Sequence, residues 1–147
     1  MNAAHVHLIF NHFPLVGFVF SFLVLVIGKV RSNESFVRVG LLIVLISGLF
    51  TVPTFLSGDE AYDLLEKNPG FSKELAEEHD QAADFAMVWI VITCLTAGVA
   101  MRLSLKKNAA PRAVLMTVIA LNLFSLTVIG RTAYLGGKIS HPEIRGQ

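Results

Sequence analysis

The chain has 147 residues, enough for one domain; 54% are hydrophobic and 16% charged, with a mean hydropathy of +0.64. A soluble domain carries about 25% charged residues, so this composition argues against water as the solvent and for lipid. The net charge is +1 and no basic cluster is interleaved with aromatics, which argues against nucleic acid as a partner. The single cysteine, Cys94, lies inside an apolar run, which rules out a disulfide framework and reads as a buried structural thiol.

Spanning the hydrocarbon takes about 20 mostly apolar residues, and four stretches come close: roughly 7–28, 37–57, 82–101 and 113–135. The expectation is a single all-α transmembrane domain over residues 1–147, an up-down-up-down four-helix bundle. Were the first helix to begin at Pro14, only about 15 residues, or about 22 Å, would remain before Lys29. That is too short, so the helix should start near His5 to His7 and kink at Pro14, which removes a backbone bond. Pro53 should act in the same way late in the second span. No Lys or Arg precedes the first apolar run and no small-residue cleavage site follows it, so it reads as a retained helix and not as a signal peptide.

Orientation follows from the basic residues of the short loops. Lys29, Arg31 and Arg38 lie at the first connection, and Arg102, Lys106, Lys107 and Arg112 at the third, with Glu34 as the one acid on that side. This places both short loops in the cytoplasm and both termini outside, and it gathers His5, His7, His12, His79 and His141 at the outer end. The expected location is the inner (cytoplasmic) membrane of a bacterium, crossed several times, with the site on the periplasmic side.

On the first helix His5 and His12 share a stripe with Leu8, Leu15 and Val19. His7, Gly17, Ser21 and Gly28 fall on the opposite side, a small-residue stripe suited to close helix contact. His12, deeper and beside Asn11, is ranked ahead of His5 and His7, for which a solvated interfacial position is the simpler account. The second helix carries Gly40, Ser47, Thr51, Thr54 and Gly58 along one side, which should face protein. Ser57-Gly58-Asp59-Glu60 fits a capping box and should start a short surface helix over about 58–67, stopped by Asn68-Pro69-Gly70. Glu60 is read first as part of that cap and second as a metal ligand.

Ser72 should restart the helix, which runs into the third span. There His79, Ala82, Ala83, Ala86, Ile90, Thr93 and Ala97 share one side. Below the histidine the helix is stripped to alanine, which suits either a flat cofactor on His79 or close helix packing. On the fourth span Asn122, Ser125, Ile129, Ala133 and Gly136 share a face, and an asparagine at mid-membrane needs a hydrogen-bond partner. Arg131 stands near the outer interface, where it could snorkel or neutralise a carboxylate. The pair Gly136-Gly137 should end the helix, and Ile139 and Ile144 give the tail a reason to fold back, bringing His141 and Glu143 over the outer mouth.

Residues 7–14, His-x4-His-Phe-Pro, a histidine opening a later helix, and the ending Gly-Gly-x-Ile together resemble a family of predicted four-helix bacterial membrane proteins of unknown function. His7, His12, His79 and Gly136-Gly137 are the matching positions; His141 follows the glycines more closely than the histidine of the family does. The resemblance implies a haem-type or metal-binding membrane protein.

Three chemistries fit these residues. Haem b ligated by two histidines from separate helices, His12 and His79, is the leading expectation, with His141 in reserve and Arg131 or Lys138 beside the propionates. With both axial positions filled, the role would be electron transfer, to or from a quinone or a periplasmic redox protein. A non-haem zinc, copper or iron site could instead draw on His5, His7, His12, Glu60, His79 and His141. The third reading is a cofactor-free structural subunit of a larger membrane complex. No activated nucleophile or phosphate loop is present, so an electron-transfer or accessory subunit is a better expectation than a stand-alone enzyme.

Overall fold

A computed structural model describes residues 3–146 of the chain. Its elements are α1 (Ala3–Phe10), α2 (His12–Val30), α3 (Glu34–Leu56), α4 (Gly58–Leu65), α5 (Lys73–Lys107), α6 (Arg112–Ser140) and a closing 3-10 turn, Pro142–Ile144, with no strand among the described residues. Four helical stretches are long and apolar enough to cross a membrane: Ala4–Val30, Glu34–Leu56, Lys73–Lys107 and Arg112–Ser140.

The first of these is α1 and α2 joined through a kink. Asn11 keeps helical dihedrals and donates its N–H to His7 O at 2.9 Å, but Pro14 has no N–H to offer Phe10 and the ladder breaks there. The break redirects the chain: α2 packs on α3 and α6, whereas α1 leans onto α3 and α4. Pro53 is carried inside α3, which ends three residues later at Leu56.

Around the bundle α2 packs on α3, α3 on α5, α5 on α6 and α6 on α2. Small residues set how closely the helices approach. A side chain at Gly17 would collide with Ser47 Oγ, and one at Gly40 would come within 2.7 Å of Leu25 Cγ. Phe18, Leu25, Leu41, Val44 and Val118 fill the interior together with hydroxyls and one amide. Asn122 donates to Ser21 Oγ at 2.6 Å, Ser21 in turn donates to Phe18 O, and Thr93 and Ser125 share a 2.8 Å bond. The two of these that join helices, Asn122 to Ser21 and Thr93 to Ser125, contribute about 0.6–2 kcal/mol each in lipid. Large apolar side chains meanwhile point outward, Leu49 at 69% and Leu95 at 68% exposed, an arrangement water would not tolerate and hydrocarbon requires.

The two short loops are tied together at the basic end. Glu34 accepts from Ser104 Oγ and from Ala110 N, while Arg38 donates to Ser104 Oγ at 2.8 Å, to Ser104 O and to Asn108 O. The loop acid and one loop arginine are therefore consumed in joining α3 to the α5–α6 turn. Glu34→Ala strands Ser104 and the Ala110 amide, and is expected to cost about 1–3 kcal/mol. The check is a lower midpoint of helix loss on heating in detergent, with no such loss for exposed Glu78→Ala.

Three local expectations are corrected. Ser57 does not cap α4: it has helical dihedrals, and its hydroxyl turns back to Pro53 O at 2.8 Å and Thr54 O at 3.1 Å. The carbonyls ending α3, one of them orphaned by the turn into α4, are nearer acceptors than any amide ahead. The Gly136-Gly137 pair does not end α6, which continues to Ser140; neither glycine has a positive φ, and Gly70 alone among the described glycines does. Ala133 is exposed, the buried face of α6 having moved by then to Leu135. The Asn68-Pro69-Gly70 stop does form, as a turn closed by Phe71 N to Asn68 O with Gly70 at φ +87.

Candidate functional site

Two of the five histidines, His7 and His79, are brought into edge-on ring contact. His7, on α1, reaches the end of α3, where Nδ1 lies 3.0 Å from Thr54 O and 3.4 Å from Ser57 Oγ. Thr54 sits in the last turn of α3, where carbonyls have no amide of their own helix to accept from. His79, two turns into α5, reaches across to α6 and sets Nδ1 2.9 Å from Thr132 O. That approach needs Gly136: a Cβ there would lie 3.1 Å from His79 Cε1 and 3.4 Å from Nδ1. The imidazole lies where a side chain on the next turn of α6 would otherwise be.

A carbonyl can only accept, so each Nδ1 carries the proton, and in a neutral ring the lone pair is then on Nε2. No hydrogen bond among the described residues occupies either Nε2. The ring centroids are 6.4 Å apart with the planes at 72°. Both rings are half-buried. Asn11, one turn deeper than His7 on the same face of the kinked span, has a buried Oδ1 with no donor. Asn122 Oδ1, in the bundle interior, likewise has no donor among the described residues.

The other expected site residues are exposed. His12 is exposed on α2, and no ring contact or hydrogen bond among the described residues joins it to His79. His5 is exposed on α1, Glu60 on α4 and Arg131 on α6, one residue from Thr132. His141 closes α6 and pairs with Glu143 Oε1 at 3.0 Å, both side chains exposed. The Glu143 carboxyl is held below its ordinary range, first by a backbone N–H and then by that imidazole. Among the described residues no group of three or more His, Cys, Asp or Glu could hold a metal ion. Lys138 lies over the Tyr134 ring, 4.9 Å from its centre.

Sequence reasoning missed the supports of the pair. Thr54 and Thr132 act through backbone oxygens, which leave no side-chain signal. Arg145 was also passed over. It donates to Lys138 O at 2.8 Å, Ile139 O at 3.0 Å and Gly70 O at 2.7 Å, closing the free carbonyls of α6 and fastening the tail to the α4–α5 turn. The available signal was an arginine just past a helix C-terminus, where cations are favoured.

A family model described as Predicted membrane protein (DUF2231) matches residues 3–142. The chain belongs to this family. The DUF2231 match runs from α1 to the start of the closing turn, so it includes His7, His79 and the carbonyls that hold them. No curated protein and no solved structure matches the chain.

Proposed function

We propose that the chain is a membrane-embedded b-type haem protein for electron transfer, with His7 and His79 as the two axial ligands. The observation that supports this is a neighbouring pair of Nδ1-anchored imidazoles from separate helices, in edge-on contact with centroids 6.4 Å apart. A first-row metal–imidazole bond is about 2.0 Å, so two rings ligating one ion from opposite sides have centroids about 6 Å apart. The donor set also fits. A non-haem ion draws three or four ligands from protein, and no such group is present among the described residues; haem iron needs only the two axial ones.

Bound there, the group would be held by His7 and His79 and would supply one-electron chemistry. The chain's own contribution is orientation. Thr54 O and Thr132 O fix the tautomer and direction of each ring, as outer partners of ligating histidines do. Gly136 gives His79 its place. Arg131, exposed and next to Thr132 in sequence, would be the cation to meet a carboxylate of the group. In this reading the histidine end faces outward from a bacterial inner membrane, and the redox partner is a quinone or a periplasmic protein.

The test is a visible spectrum of detergent-purified protein, oxidised and then reduced with dithionite. Sharp split bands with a shifted Soret peak on reduction are expected. A colourless protein, purified from cells supplied with haem precursor, overturns the assignment.

A further inference from the structure

At the opposite end of the bundle a groove of about 340 Å³ runs between α5 and α6, lined by Leu95, Thr96, Val99, Val114 and Thr117. Its walls are apolar although two threonines stand in it. Thr96 Oγ1 donates to Ile92 O at 2.8 Å and Thr117 Oγ1 to Ala113 O at 3.1 Å, so each hydroxyl is satisfied within its own helix. Leu95 and Val99 are exposed, and the groove lies within the two membrane-crossing stretches.

The groove leads to charge. On α5, Leu95, Val99, Arg102 and Lys106 follow one another in steps of 4, 3 and 4, a single stripe of the helix. Arg102 is about 4.5 Å further along the axis than Val99, and Lys106 about 10 Å. Both cations are exposed and neither has an ion pair or hydrogen bond among the described residues. The nearby acid, Glu34, is already engaged by Ser104 and Ala110. A shallow apolar groove between α5 and α6, continued along the same stripe of α5 by two exposed cations, is complementary to an amphipathic anion.

We propose that this groove holds the acyl chain of an anionic phospholipid whose phosphate sits on Arg102 and Lys106. The site is independent of the histidine pair and lies at the other membrane face. It selects for headgroup charge through the two side chains and for a chain through the groove.

The test is native mass spectrometry of the full chain released from nanodiscs of phosphatidylcholine containing a minor fraction of phosphatidylglycerol. One retained phosphatidylglycerol is expected, enriched over its share of the bilayer. Arg102→Ala and Lys106→Ala should each reduce retention about fivefold, the effect of one cation at an anionic surface. Val99→Trp, which fills the groove and leaves the charge, should reduce it as well. Lys29→Ala removes a charge from the same end and should leave retention unchanged. Equal loss in Lys29→Ala, or retention that Val99→Trp does not disturb, would show general surface attraction and overturn the site; so would equal retention of phosphatidylcholine.

Discussion

Replacing His79 by alanine is expected to abolish haem incorporation while leaving the bundle folded. The side chain is half-buried and makes one hydrogen bond, to Thr132 O, so its removal costs the fold little. In the proposed assignment its loss takes away one of the two ligands, and His12 and His141 are exposed. Haem content, read as Soret absorbance per mole of protein, should fall by more than the roughly 10–100-fold typical of losing an outer partner. His79→Met, which keeps a ligating atom, should recover part of the content with a shifted spectrum. His12→Ala should retain the full complement. Undiminished haem in His79→Ala would remove that residue from the assignment.

Gly136→Val should weaken haem binding almost as severely without touching a ligand. A Cβ at this position already lies 3.1 Å from His79 Cε1, and two further methyls drive the ring off Thr132 O. The expected loss of affinity is about 10–100-fold, the range for disrupting the partner that orients a ligating histidine. Gly137 is the internal control, because a Cβ there meets nothing within 4 Å. Gly137→Ala should leave haem unchanged and raise stability by about 0.5–1 kcal/mol, the ordinary gain for a helical glycine. Equal effects from the two variants would mean that Gly136 serves the helix and not the imidazole.

The four-helix architecture could be read from the chain because lipid imposes a strong rule. Apolar runs near 20 residues and a polar or small stripe on each one suffice to define helices and their inward faces. Gly40, Ser47 and Thr51 of one stripe and Ala82, Ala86, Ile90, Thr93 and Ala97 of the other are buried, whereas Thr54, Gly58, His79 and Ala83 are half-buried. The same rule, applied fully, would have favoured His7, which shares its stripe with the buried Ser21 and Gly28, over His12, which shares one with the exposed Val19. The kink at Pro14 breaks the helical phase between α1 and α2, so depth in the membrane and face on the helix point to different histidines.

Backbone acceptors were beyond the reach of residue patterns. Thr54 O becomes available through the turn that ends α3, and Thr132 O through the missing side chain at Gly136. The glycine pair was read by its commonest use, a helix stop, although a glycine inside a membrane helix serves equally to admit a neighbour. Ser57 likewise had the residue pattern of a cap, but the carbonyls behind it were closer than the amides ahead.

The most direct measurement of the central claim is low-temperature electron paramagnetic resonance of the oxidised protein, wild type beside His7→Ala. Two imidazoles with planes at 72° predict a low-spin ferric signal of high anisotropy, converted to high spin when His7 is removed. A wild-type signal that is already high-spin, or one unchanged by His7→Ala, would contradict the pairing of His7 with His79 across one iron.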